Sequence, residues 1–429
     1  MTCHKLSSAL QCDVPTPYRI RAAALVVGLA LALVSACTTD PAPSPTDIPT
    51  PTDFHYHQDP RGSSKGDDLV SVSTLVTKLD VPWGVAFLPD GGALVTERHK
   101  RRILKVGPGR DASGELTVKP LTSIEGVYAN NEGGLLGIAV SPRFARDKTI
   151  FIYYTTKKDN RIARVRLNGR PRPEAIVTGI PGAGVHNGGR LRFGPDGYLY
   201  ASTGDASHAG GSQGLDNLGG KILRMTTDGK PAPGNPFKDS LIWSYGHRNP
   251  EGMAWDAEGR MYSAEIGEAV WDELNLIAPG RNYGWPKVQG MGTEPNMVNP
   301  VAVWRPEIGV TNGIAILGRT AIVTCLRGQR IYLVGLGGPV NISSERIAGA
   351  GTGEASIRWR PGAGIAGRPI DALVGRYGRI RDAINAPDGS IWLTTSNRDG
   401  RNDIVAEDDR ILRLTLRKPR SPSPTTTTR

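Results

Sequence analysis

Residues 186–191 (HNGGRL), 202–205 (STGD), 245–250 (YGHRNP), 272–276 (DELNL) and 282–285 (NYGW) fall in order within a hundred residues of chain. They gather His186, Asp205, Arg248, Asn249, Asp272 and Glu273, interleaved with glycines. A base, several carboxylates and a fixed cation in close sequence proximity suit proton transfer beside a developing negative charge, the equipment of a redox or hydrolytic site. Oxidising an alcohol further requires a hydride acceptor, which no side chain provides, so a redox reading calls for a cofactor. No Gly-x-Gly-x-x-Gly opens a βα unit, which argues against a nicotinamide or flavin Rossmann site.

The elements that position these blocks show in a repeat. An apolar alternating run, a Pro-Asp-Gly-like turn and a second run occur at 83–96 (WGVAFLPDGGALVT), 191–201 (LRFGPDGYLYA), 253–263 (MAWDAEGRMYS) and 384–394 (INAPDGSIWLT), with looser copies at 138–155 and 314–333. Asp-Gly pairs between alternating runs signal hairpins. Six copies at intervals of about 50 to 70 residues predict an all-β, six-bladed β-propeller with its site in loops at one end of the central channel. The 54 Gly and 33 Pro agree with a turn-rich β protein.

The wording and order of these blocks resemble the soluble quinoprotein sugar dehydrogenases, the glucose/sorbosone dehydrogenase family. So do 81–90 (VPWGVAFLPD), 132–137 (EGGLLG) and 379–382 (RIRD), and the likeness runs from about residue 75 to 416. The resemblance implies pyrroloquinoline quinone (PQQ) and Ca2+ as cofactors, and oxidation of an aldose at its anomeric carbon to the lactone. His186 would be the general base, Asp205 its orienting carboxylate, and Arg248 with Asn249 the contacts to the quinone oxygens. Arg379 and Arg381 would hold the cofactor carboxylates, with Glu132 near the quinone. Carbonyls of Gly267 and Glu268 would hold one calcium ion on the cofactor; Asp272, Glu273 and the carbonyl of Tyr283 would hold a second, structural one. This chain departs from the pattern at Val185, Leu326 and the stretch 309–311 (GVT), which bears on substrate choice and cofactor affinity.

Taken by themselves, these residues have other uses. Asp205 could form a turn after Gly204, Arg248 a salt bridge at a strand end, and Asp272 with Glu273 a solvated acidic loop. Two other functions stay open on the same fold: a calcium-dependent lactonase-type hydrolase, whose metal Glu132, Asp205 and Asn249 would bind directly, and a non-catalytic binding propeller. Retention of Arg379 and Arg381 favours a polycarboxylate ligand, since guanidinium forks match carboxylates bidentately.

A formal charge of +11 raises the question of nucleic acid. The basic residues are scattered (99–102, 157–158, 417–420) and bring no nucleic-acid motif or aromatic stripe, so no nucleic-acid partner is expected. The expected partners are a sugar and an external electron acceptor; the sequence leaves the oligomeric state undefined.

Arg19 and Arg21 precede an apolar run over 22–34 that is too short to span a bilayer and ends in VSAC at 34–37. This reads as a lipoprotein signal peptide (1–36) with Cys37 as the lipidated residue, followed by a Pro/Thr-rich tether (37–66), the propeller domain (67–416) and a tail of disordered composition (417–429). Export with anchoring to the outer face of a bacterial membrane, through lipid only, follows as an expectation. Of the 4 cysteines, only Cys325 lies in the propeller region, so no disulfide is expected there.

Overall fold

Each Pro-Asp-Gly-like repeat folds as the inner hairpin of one antiparallel sheet. At 88–92, Leu88 N–H donates to Gly92 O at 2.8 Å, Asp90 Oδ1 accepts Gly92 N–H at 2.9 Å, and Gly91 adopts φ 81°, a conformation that costs glycine little. The computed structural model describes residues 65–337, 357–359 and 364–417. The expected signal peptide, Cys37 and almost all of the tether and tail lie outside these residues.

Six sheets result, one per repeat, and the chain is a six-bladed β-propeller. The innermost strands are Pro82–Phe87, Leu135–Val140, Leu191–Phe193, Asn249–Trp255, Thr311–Leu317 and Ile380–Asn385. The ring closes on itself twice over. Strand Val70–Val76, from the beginning of the domain, pairs antiparallel with Ile411–Leu416 as the outermost strand of the last blade. The first and last innermost strands also pack against each other.

Burial follows from the alternation. Neighbouring blades bury apolar faces against each other, as where Trp83, Leu136, Phe151, Tyr153, Leu191, Leu199 and Leu223 form one cluster. Complete burial of such side chains contributes about 1.5–3 kcal/mol each. Around the axis the strands approach so closely that side chains are excluded. A Cβ on Gly137 would lie 2.1 Å from Gly189 O, and one on Gly313 would lie 2.6 Å from Asp382 Cα.

Because each hairpin is antiparallel, the start of every innermost strand and the exit of the second strand lie at the same end. His186 precedes Leu191–Phe193, Glu132 precedes Leu135–Val140, and Arg248 directly precedes Asn249–Trp255. Asp205 follows Leu199–Thr203, and Gly267 follows Met261–Ile266. The expected site residues therefore converge on one channel mouth.

The seam at this mouth depends on Asp409. Its buried carboxylate accepts from Val81 N–H at 3.0 Å, Thr395 Oγ1 at 3.0 Å, Arg398 N–H at 3.3 Å and Asn397 N–H. Asp409→Ala should strip these donors of their acceptor and lower unfolding stability by about 2–4 kcal/mol in a urea titration. A change within 0.5 kcal/mol (about the scatter of neutral surface substitutions) would show that the seam does not need it.

Candidate active site

His186 sits on a backbone that the neighbouring glycines make room for. Its φ is 56°, in the left-handed region. Gly204 lies against its carbonyl so closely that a Cβ there would stand 1.8 Å from His186 O, which explains the glycine of STGD. Two hydrogen bonds hold this backbone: His186 N–H donates to Glu132 Oε2 at 3.0 Å, and Ala206 N–H donates to His186 O at 3.1 Å.

The imidazole Nδ1 lies 2.8 Å from Asp205 Oδ1. The side chain of Asp205 is 1% exposed and that of His186 is 19% exposed. Carboxylate at Nδ1 leaves Nε2 as the ring nitrogen that can take a proton from a bound molecule. The other Asp205 oxygen accepts Trp285 Nε1–H at 2.8 Å, and Ser207 N–H donates to Oδ1 at 2.8 Å. Burial works to raise the Asp205 pKa, but the bond from His186 and those from Ser207 and Trp285 outweigh it and hold the carboxyl below its ordinary range.

Arg248 lies beside this pair, with its guanidinium 5.4 Å from the Trp285 ring centre and its carbonyl accepting Asp205 N–H at 2.7 Å. Its Nη1 donates to Gly267 O at 2.6 Å, while its buried Nε has no partner among the described residues. Asn249 is buried, accepting Gly188 N–H at 2.9 Å and donating to Glu251 Oε1 at 3.1 Å. Its place in this structure is to fasten the glycines beside His186.

Arg379 and Arg381, two apart on an extended segment, point the same way as alternation requires. Both converge on Asp399 Oδ2, Arg379 Nη2 at 2.9 Å and Arg381 Nη2 at 3.4 Å. Arg381 Nη1 also reaches Glu251 Oε2 at 3.3 Å. Burial pushes the Asp399 pKa up, but Arg381 and Arg379 overcome it and leave the carboxyl below its usual range. Deeper in the channel the fully buried Arg190 pairs with Asp382 at 2.7 Å and covers the Trp83 ring at 4.3 Å. At the rim, Arg401 Nη1 donates to Glu132 Oε1 at 2.8 Å.

The guanidinium groups of Arg190, Arg192, Arg379, Arg381 and Arg401 thus share the carboxylates of Glu132, Glu251, Asp382 and Asp399, and Arg98 adds a cation with no ion pair among the described residues, leaving a surplus of positive charge. An anion with several carboxylates fits this mouth. Glu132, Asp205 and Asn249, the alternative lactonase set, each spend oxygens on N–H donors.

The expected calcium ligands divide between two faces of one strand. Asp272 points at Gly267 N–H (2.9 Å) and Val310 N–H, which occupy both of its oxygens, and burial pushes its pKa up to about 7. Glu273 faces the other way, accepting Gly290 N–H at 2.7 Å and Asn275 Nδ2–H at 3.0 Å. There it stands opposite Glu265, its cross-strand partner, while the buried Asn275 Oδ1 has no partner among the described residues. Two carboxylates and an amide oxygen are donor types that a hard cation takes, although Arg248 N–H, Gly290 N–H, the Asn275 amide and the His247 ring now occupy the carboxylates; Asp272 stands apart from this face. Tyr283 stacks on His247 at 4.7 Å beside the same cluster. Gly267 O, aimed at the guanidinium of Arg248, is likewise turned toward a cation; the side chain of Glu268 accepts only Gln289 Nε2–H at 3.2 Å.

Sequence reasoning missed Arg98, Glu251, Asp399 and Arg401, and gave Trp285 no role. The repeat held the missing signal for two of them: Arg98 and Asp399 follow the second strands of their blades, as Asp205 follows its own.

The depressed pKa of Asp205 sets a pH dependence. Its contribution to stability is complete above the unfolded carboxylate value of about 3.9 and is lost as pH falls through the lower folded value. Asp205→Asn should therefore be less stable than the parent protein at neutral pH, with the gap narrowing below about pH 4. Urea unfolding at both pH values checks this, and a gap of constant size would contradict it.

Comparisons with known proteins bear on the family. The aldose sugar dehydrogenase YliI of Escherichia coli is 36% identical over 375 residues, 77% of this chain and 91% of that protein. Quinoprotein glucose dehydrogenase B of Acinetobacter calcoaceticus is 31% identical over 254 residues, 50% of this chain and 52% of its own. The PQQ-bound aldose sugar dehydrogenase of Streptomyces coelicolor superposes with a TM-score of 0.71 at 41% identity, covering 81% of this chain and 98% of that one. The model of one family, Glucose / Sorbosone dehydrogenase, matches residues 79–412. A propeller whose mouth carries a carboxylate-bound histidine among surplus guanidiniums thus belongs to the Glucose / Sorbosone dehydrogenase family.

Proposed function

We propose that this chain is a PQQ-dependent dehydrogenase that oxidises an aldose at the anomeric carbon to the lactone and passes the electrons to an external acceptor. The observation that carries the reading is the His186–Asp205 pair, bonded at 2.8 Å and only partly open to solvent, beside a surplus of guanidinium groups. PQQ, when bound, supplies a quinone that takes up the substrate's hydride as a two-electron acceptor.

The remaining work falls to the chain. His186 Nε2 removes the proton of the anomeric hydroxyl, and the anionic Asp205 stabilises the imidazolium that forms. Arg248, its guanidinium beside the Trp285 ring, stabilises negative charge that develops next to the base. Arg379 and Arg381 hold carboxylates of the cofactor, exchanging part of their bonding to Asp399 for the ligand. Glu132 fixes the strained backbone of His186, so that the imidazole meets the substrate without first having to be oriented. Calcium would be held by the carbonyls of Gly267 and Glu268 at the cofactor, and by Glu273 with the carbonyl of Tyr283 at the structural site. The VSAC sequence at 34–37 and the Pro/Thr-rich stretch after it support export and lipid anchoring through Cys37.

The test is sugar-dependent dye reduction with PQQ and calcium added together and separately. Activity should require PQQ, and His186→Gln should lower it by about 100-fold or more while PQQ affinity stays within a few fold, because proton transfer contributes on that order. Release of acid from a lactone without quinone, or full activity in His186→Gln, would contradict the assignment.

A further inference from the structure

Arg98 leaves the second strand of the first blade, Ala93–Glu97, and enters the channel mouth on a clamped backbone. Its N–H donates to Val81 O at 3.2 Å and its carbonyl accepts Leu135 N–H at 3.2 Å, so it is tied to the starts of two innermost strands. The residue is 3% exposed.

The guanidinium is bonded in an unusual way for a buried cation. Its Nε donates to His99 Nε2 at 3.1 Å, a ring nitrogen that must be unprotonated to accept. No carboxylate lies within ion-pair distance of it among the described residues, whereas the equally buried Arg190, Arg379 and Arg381 each have one. Its terminal nitrogens have no partner among the described residues, yet they are not among the occluded polar atoms, so they still open on the channel. The charge with the largest influence on it is another cation, Arg381, ahead of Asp399, Glu251 and Glu132. Burial, and then Arg381, push the Arg98 pKa down to about 9.

A buried charge is normally paired, because desolvation without a counter-charge is costly. Here the surrounding chain provides the cost and not the partner. The missing partner has to be an anion that enters from the channel, and the influence of Arg381 on this cation suits a carboxylate on the same polyanion that Arg381 and Arg379 hold. An aldose is neutral and would leave the cation unpaired.

We propose that Arg98 is a third carboxylate-binding residue of the cofactor pocket, its terminal nitrogens taking a carboxylate of the tricarboxylate quinone. This rests on the assignment of the mouth as a PQQ site. It also sets Arg98 apart from the other two arginines, since Arg98 has no bond to exchange, whereas Arg379 and Arg381 leave Asp399 in part.

Titration of PQQ into the purified protein, followed by tryptophan fluorescence, tests this with Arg98→Met and Arg98→Lys beside the parent. Arg98→Met should bind PQQ at least tenfold more weakly, with Arg98→Lys in between. The melting temperature of unliganded Arg98→Met should equal or exceed that of the parent, since an unpaired buried charge has been removed, while the rise on adding PQQ shrinks. Equal PQQ affinity in parent and Arg98→Met would overturn the proposal. So would a fall in melting temperature of the unliganded variant that matches its loss of affinity, which marks a structural strut. A parallel titration with gluconate separates the sources of the carboxylate: affinity lost for gluconate but kept for PQQ would assign Arg98 to the product and overturn the cofactor role. A parent protein that takes up no PQQ would overturn the site assignment together with this proposal, whereas PQQ uptake unaffected by the substitution overturns this proposal alone.

Discussion

Everything at the channel mouth depends on how closely the innermost strands approach the axis. Glycine is the only residue that fits where Gly137 meets Gly189, where Gly204 meets His186 and where Gly313 meets Asp382. That packing leaves no side-chain volume at these contacts, so polar groups collect at the strand starts just beyond them. It also fixes the base. His186 can hold a left-handed backbone because Gly204 yields space to its carbonyl and Glu132 binds its N–H. The geometry of the His186–Asp205 pair is thus set by main-chain crowding.

Electrostatics supplies the second level. Buried guanidiniums are tolerable only when carboxylates answer them, and here Asp382, Asp399 and Glu251 answer most but not all. The surplus makes the mouth a receptor for anions. Local pairing within it differs with the role of each group. Asp205 is bonded at both oxygens and orients the His186 ring, whereas Arg98 keeps terminal donors in reserve.

The fold was legible because its signal is local and repeated. Each of the six hairpins expected from an apolar alternation and an Asp-Gly-like turn is present, the looser copies at 138–155 and 314–333 included. The His186–Asp205 pairing was expected only through the resemblance of their blocks to the family, and the structure brings the two side chains within 2.8 Å. Closure of the ring by Val70–Val76 was not legible, because no periodicity ties a strand to a partner more than 300 residues away. Arg98, Glu251 and Asp399 escaped for a similar reason: an isolated charged residue looks solvated until the fold buries it. Asp272 and Glu273 show the limit of reading neighbours as a unit. Adjacent on a strand, they face opposite ways, one toward Gly267 and Val310 and the other toward Gly290 and Asn275.

If the six strand starts frame a receptor for a polycarboxylate quinone next to His186, a crystal structure of the protein grown with PQQ will reveal it. Quinone density is expected at this mouth, with carboxylates on Arg379 and Arg381, a quinone oxygen within hydrogen-bond reach of Arg248, and the ring near His186 Nε2. Density at another place on the propeller, or a mouth whose arginines keep Asp399 and Glu251 as their only partners at saturating PQQ, would contradict it.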